Sequence, residues 1–466
     1  MLGMGNMRQW LMNISLVGGW FPAAAFAVVA VLSVTLLVSA AVSKRDGRIL
    51  ATVLPIGVEA VSGMVGYVAA WLLSDVFVVF DVGLGSRVMS WVAAGFAIAG
   101  FAIVHIVLSR GMMRVAAAIL TVFAILAAAI GIDQSYGEYA TIGSLFGEDS
   151  YSQADLTGLA KRKDLITVAQ WRKQAANGTI RNIPANGTVN KIDIPATKSQ
   201  FEARKALVYL PPAALADSKR KPALPVVLML SGQPGSPGRV FQAGGIQTMM
   251  DGYAKTHDGL APIVIAADQL GADSHNTLCV DSKVYGNALT YLTQDMVDWV
   301  KTNLPAAQDA KDWAIAGFSQ GATCSLQIGV NHPDLFGTMI PTDSEIKPTN
   351  GSRQEMIDRF FDGDTTAYEN QVPVNAIRNH APTHQMLIIG AGEKDTTSIR
   401  NVKTIAPVAA KAGMRVAAVE SSGNAHDWHA VQDVLRYGLA VFGHDTGLDG
   451  ANPNLSDYPN LKRITI

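Results

Sequence analysis

A serine, a histidine and a carboxylate stand in this chain where together they could break an acyl bond. Ser319 lies in Gly317-Phe-Ser-Gln-Gly321, after the apolar run Trp313-Ala-Ile-Ala316 and before a helix-compatible stretch. Strand, sharp turn and helix in that order make a nucleophile elbow: the glycines allow the tight backbone, and the hydroxyl is lifted off the sheet's C-terminal edge. No other serine has glycine at both i−2 and i+2. A hydroxyl needs a base to take its proton, and His426 is the candidate. It sits in the Gly/Asn-rich run Ser421-Ser-Gly-Asn-Ala-His426, after an expected strand at 415–419, whereas His429 falls a turn later and is expected to begin a helix. The base needs an acid to orient it. After the apolar Met386-Leu-Ile-Ile389, a Gly-x-x-Asp turn presents Asp395, with Glu393 as the alternative acid.

Charge that develops on the acyl oxygen needs fixed donors. The first is the Gln320 backbone N–H, at the positive end of the elbow helix. The second is expected in Ser231-Gly-Gln233-Pro-Gly235, after the apolar Val226-Val-Leu-Met-Leu230. Pro234 has no N–H, so Gln233 is the donor there; the alternative is a Gly/Pro turn that merely connects elements. No histidine or cysteine spacing resembles a metal site, and no glycine-rich loop suits a dinucleotide or phosphate, so neither metal nor cofactor is expected.

These residues all lie in the second part of a 466-residue chain whose first 133 residues are overwhelmingly apolar. Four segments there, at about 21–42, 50–73, 88–109 and 115–132, approach or reach the length that crosses a bilayer. A removable signal peptide is the competing reading of the first, but three more apolar segments follow it. Lys44, Arg45 and Arg48 separate the first two segments, and Arg110 and Arg114 the last two; Asp75, Asp81 and Arg87 lie between the second and third. The positive-inside rule puts both basic loops in the cytoplasm and both chain termini outside. The expectation is a multi-pass protein of the cell membrane with its globular part on the extracytoplasmic face. Trp10, Trp20, Trp71 and Trp91 would then form an outer aromatic belt. Glu59 and His105 fall inside the apolar segments, either as residues near the interface or as a pair. A net charge of −1 gives no reason to expect a nucleic-acid partner.

The globular part divides on pattern into a Gly/Ser/Asn/Asp-rich linker at 134–186, a domain at 187–445 and a polar tail at 446–466 expected to wrap loosely. Short β-rich runs alternate with helix-compatible ones from Gly187 onward, and several strands are continuously apolar. That pattern calls for a mostly parallel sheet with helices on both faces. The only two cysteines, Cys279 and Cys324, fall in the loop after the expected strand at 262–267 and early in the elbow helix. Outside the cytoplasm such a pair is expected to form a disulfide that ties the 273–276 loop to the nucleophile helix; the alternative is two separate buried thiols.

With Ala203-Arg-Lys-Ala-Leu-Val-Tyr-Leu-Pro-Pro212, the elbow, Asn331-His-Pro-Asp-Leu-Phe336 and His426-Asp-Trp428 assembled, residues 187–442 resemble the α/β-hydrolase group that contains esterase-D-like enzymes and the secreted mycolyltransferases of actinobacteria. The membrane half resembles that of multi-spanning actinobacterial esterases. The resemblance implies an α/β-hydrolase fold, Ser319 as nucleophile, His426 as base, and Gln233 and Gln320 as oxyanion donors. The chain departs from the mycolyltransferases in having four crossings instead of a cleavable signal, and Ser231-Gly-Gln233 where they carry Asp-Gly-Leu. Their acid is glutamate, which keeps Glu393 in play. The implied activity is hydrolysis of an acyl ester of a lipid or envelope glycolipid through an acyl-enzyme. Transfer of the acyl chain to a sugar or glycan is the alternative, and a non-catalytic envelope-assembly protein of the same fold is the competing class.

Overall fold

The computed structural model describes residues 4–42, 48–77, 84–160, 164–180, 182–218 and 220–466. Lys44, Arg45 and Asp81, on which the orientation argument partly rests, lie outside the described residues. The chain divides into two compact units, Met1–Glu148 and Asp149–Ile466.

Among the described residues, the first unit contains four helices long and apolar enough to cross a membrane: Trp20–Ala41, Thr52–Val76, Gly85–Leu108 and Met112–Tyr136. Leu36, Phe101, Ala117 and Leu120 meet in a small buried cluster among them. Close approach depends on small residues, for a Cβ on Gly100 would come 2.3 Å from Ser62 Oγ. The remaining faces leave apolar side chains such as Val31, Val34, Val61 and Ile125 uncovered. Glu59 and His105 do not form an ion pair among the described residues. His105 is buried against the Phe101 ring with Nε2 unpartnered, and Glu59 borders a groove lined by Gly63, Ala93 and Ala97.

Among the described residues, the second unit is built on a ten-stranded sheet. In chain order its strands are β1 (Ser152–Gln153), β2 (Thr188–Ile192), β3 (Ala206–Leu210), β4 (Val226–Leu230), β5 (Ile263–Ala266), β6 (Trp313–Phe318), β7 (Thr338–Thr342), β8 (Met386–Gly392), β9 (Arg415–Ser421) and β10 (Leu461–Arg463). In space they run β1-β2-β3-β5-β4-β6-β7-β8-β9-β10. The block β5-β4-β6-β7-β8-β9 is parallel throughout, and antiparallel pairs occur at β2–β3, β3–β5 and β9–β10. This is the mostly parallel sheet of an α/β-hydrolase. Every residue of β4, β6, β7 and β8 is buried, which is why these runs read as continuously apolar. Ser319, Asp395 and His426, with the loop that carries Gln233, all follow the C-terminal ends of parallel strands. They therefore gather along one edge, where open α/β sheets bind ligands.

Two expectations need correction. Residues 134–186 are not a connector: 134–136 complete the fourth apolar helix, β1 adds a parallel strand beside β2, and Trp171 is fully buried with its indole N–H donating to Asp258 O at 3.1 Å. Trp171 sits on the short helix Val168–Ala176, where a helix is expected around 165–175, whereas a two-residue strand leaves no periodicity to read. Nor is 446–466 a loose tail. β10 pairs antiparallel with β9, and Leu448, Leu461 and Ile464 are buried, three apolar side chains in a polar run.

Truncating the chain after Tyr458 should therefore destabilise it. Each large aliphatic lost from a packed site costs on the order of 2–5 kcal/mol. The unfolding midpoint of the detergent-solubilised protein should fall clearly, and an unchanged midpoint would contradict the structural role of β10.

Candidate active site

Ser319 follows β6 directly and adopts φ 54°, ψ −117°, a region a side-chain-bearing residue enters at a cost of about 1–3 kcal/mol. The surroundings enforce it. Its N–H donates to Thr342 O at the end of β7, and the helix Gln320–Asn331 begins at the next residue. A Cβ at Gly317 would lie 2.2 Å from Gly321 O, and one at Gly321 would lie 2.3 Å from Ser231 O. Both flanking positions exclude any side chain, so the Gly-x-Ser-x-Gly spacing is a packing requirement of the turn.

His426 Nε2 is 2.8 Å from Ser319 Oγ, and its Nδ1 is 2.7 Å from Asp395 Oδ2. With Asp395 ionised, Nδ1 carries the proton and Nε2 is free to accept from the serine hydroxyl. The other Asp395 oxygen accepts the Ser398 N–H at 2.9 Å, capping the helix Thr396–Lys411, so the carboxylate is fixed at both ends. The imidazole rests beside the Phe318 ring, which in turn packs on the buried Trp428, with centroid distances of 4.9 and 5.0 Å. Asp427 accepts from Ala425 and Ala430 N–H groups and so closes the turn that presents His426.

Glu393, the alternative acid, faces elsewhere. It accepts the Gly423 N–H at 2.7 Å and pairs with Lys462 at 3.0 Å, bracing the base-bearing loop against β10. Further support comes from residues the sequence pattern did not single out. Asp433 accepts from Ser421 Oγ and Asn424 Nδ2 within that loop and from Asn460 Nδ2 before β10. Asp343, immediately after β7, is fully buried and accepts the Gly392 N–H at 2.9 Å. Its position after an apolar strand was the one available signal.

The opposite wall is the loop after β4. A Cβ on Gly232 would lie 3.5 Å from Ser319 Cβ, so this loop lies against Ser319. Gln233 is exposed and its side chain donates to Ser274 O at 3.2 Å. The Gln320 side chain points inward, accepting from Gln269 Nε2 and donating to Asn276 Oδ1, each at 3.3 Å. Gln269 also donates to Ser231 O at 2.7 Å. Cys279 and Cys324 form a disulfide, joining the loop after β5 to the elbow helix. Closing its loop, with a sequence separation of 45, is worth about 4 kcal/mol in the chain-entropy account.

Residues 198–438 match the family described as putative esterase. An uncharacterized protein of Corynebacterium glutamicum is 32% identical over 333 residues, a match spanning 70% of this chain and 74% of the relative. Among solved structures, a ferulic acid esterase aligns over 56% of this chain and 99% of its own length, with 16% identity and a TM-score of 0.46. An S-formylglutathione hydrolase from Agrobacterium tumefaciens aligns over 57% and 99%, also with 16% identity and a TM-score of 0.46.

The electrostatics of the triad follow from its burial and pairing. Burial alone would raise the Asp395 carboxyl, but the hydrogen bond and charge of His426, with the bonds from Ser398, hold it below the usual carboxylate range. Burial likewise opposes the imidazolium, yet the Asp395 hydrogen bond and the surrounding carboxyls raise His426 above the ordinary 6.5. Only a neutral imidazole can accept the serine proton. Reaction of Ser319 should therefore fade as pH falls through a value above 6.5. In the Asp395→Asn variant that acid limb should move to lower pH while the rate at neutral pH drops. A pH–rate profile of covalent labelling checks this, and an acid limb below 6.5 in the wild type would contradict the His426–Asp395 coupling.

Proposed function

The chain belongs to the Esterase family, and from that premise we propose that it is a membrane-anchored serine esterase whose catalytic unit faces the cell envelope and cleaves an acyl ester of a lipid or glycolipid through an acyl-enzyme. The observation that carries the reading is the unbroken hydrogen-bonded series from Ser319 Oγ through His426 to Asp395. As Ser319 attacks the ester carbonyl, His426 Nε2 takes its proton, and Asp395 stabilises the imidazolium without itself being protonated. The backbone N–H groups of Gln233 and Gln320 receive the charge on the former carbonyl oxygen. A donor of this kind is worth about 3 kcal/mol of transition-state stabilisation. His426 then returns the proton to the departing alcohol oxygen, and water, activated by the same imidazole, releases the acid and restores Ser319.

Membrane anchoring rests on the four long apolar helices with their uncovered apolar faces. The outward placement of the catalytic unit rests on Arg110 between the last two helices and Arg114 in the first turn of the last one, and on a disulfide, which an oxidising compartment sustains. The lipid character of the substrate follows from tethering an esterase at a bilayer, where lipid esters are concentrated.

A membrane-impermeant fluorophosphonate applied to intact cells is the direct test. The wild-type chain should be labelled and Ser319→Ala should not. Labelling only after lysis would place the unit in the cytosol, and no labelling of folded wild type would favour a binding protein. Supplying an acyl ester with and without added trehalose or glycerol then separates release of free acid, the expected outcome, from acyl transfer.

A further inference from the structure

The active site contains a carboxyl that the triad does not use. Asp343 follows the last residue of β7, whose carbonyl accepts the Ser319 N–H, and its own N–H donates to Gly390 O in β8. It is thus clamped between the strand that braces the nucleophile and the strand that leads to the acid. Its backbone takes φ 55°, an uncommon conformation for a side-chain-bearing residue. One carboxyl oxygen accepts the Gly392 N–H; the other is buried with no partner. Side-chain ligand atoms of Asp343, Asp395 and His426 all lie within 4.8 Å of one another. A metal does not explain this cluster, because both ring nitrogens of His426 are engaged by Ser319 and Asp395.

We propose that Asp343 is a reserve acid for His426, a positioning residue behind Asp395 that supplies the negative charge facing the imidazolium when Asp395 does not. The proposal rests on the serine-esterase reading of the site. Two carboxylates this close in a buried pocket are not both ionised at neutral pH, so the pair shares one negative charge. The groups facing Asp343 are Asp395 from the loop after β8, and His426 and Asp427 from the loop after β9. Burial raises its carboxyl well above the usual range; the charges of Asp395 and Asp427 push the same way, against His426 and the Gly392 N–H. With Asp395 ionised, Asp343 is therefore the neutral member. Removing the Asp395 charge relieves the repulsion and lets Asp343 ionise beside the imidazole.

The experiment measures fluorophosphonate labelling rates of the full chain in detergent, from acid to alkaline pH, with Ser319→Ala as the blank. Asp395→Ser keeps an oxygen for the Ser398 N–H but offers His426 no charge. It should lose no more than about 10²-fold, against the roughly 10⁴-fold loss seen where a triad acid has no substitute. Its rate should also climb with pH as Asp343 ionises. Asp343→Asn, which keeps the acceptor for Gly392, gives the single-variant baseline for the double. Combined with Asp395→Ser it should bring the full loss and abolish the climb. A double variant as fast as Asp395→Ser would overturn the proposal. If Asp343→Asn does not melt cooperatively, the Asp395→Ser profile alone decides, and the absence of a rising alkaline limb is the overturning result. An unlabelled wild type would instead remove the nucleophile assignment, and the reserve acid with it.

Discussion

A serine at φ 54° is out of its preferred backbone region, and everything else about the site follows from the contacts that keep it there. Thr342 O holds its N–H from one side, while Ser231 O and Leu230 O approach Gly321 from the other. The strain is affordable only because β4, β6 and β7 are fully buried and in register, so that relaxing the turn would mean unpacking the centre of the sheet. The same register puts the loop after β4 against Ser319 and sends the acid and base loops from β8 and β9 to the same edge. One local constraint, enforced by non-local packing, thus determines where four separate stretches of chain converge.

Convergence brings ionisable groups into a space with little water, and their states are then set jointly. Asp395 stays ionised because His426 and Ser398 compensate its burial, whereas Asp343, with one carboxyl oxygen unpartnered, does not receive enough compensation. The imidazole between Ser319 and Asp395 is drawn toward its charged form. Environment, not residue type, separates the two aspartates.

How far the sequence discloses this depends on the range of the interactions. The elbow is legible because a steric rule imposes glycine at two fixed offsets, and the central strands are legible because burial on both faces leaves an apolar run. The four apolar helices show for the same reason. Choosing Asp395 over Glu393 is harder, since both follow β8 within four residues and differ only in which side of the loop they face. That difference is set by Lys462, some seventy residues away in sequence. Asp343 and Asp433 act through contacts with β8 and the base loop that no local pattern encodes. β1, Trp171 and β10 escape notice because each is too short to show a period.

The two walls of the site are secured by different means. On the Gln320 side, a covalent bond between the loop after β5 and the elbow helix is reinforced by amides: Gln269 ties Ser231 to Gln320, and Gln320 reaches Asn276. On the base side there is no covalent tie. The loop bearing His426 is held by Glu393 and Asp433, and both carboxylates also grip residues at the end of the chain, Lys462 and Asn460. The last strand therefore serves as the clamp for the His426 loop, performing with charge and hydrogen bonds what the disulfide performs for the elbow helix. A residue as late as Lys462 belongs to the machinery that aims the imidazole, although it stands well away from the reacting atoms in sequence and touches none of the triad.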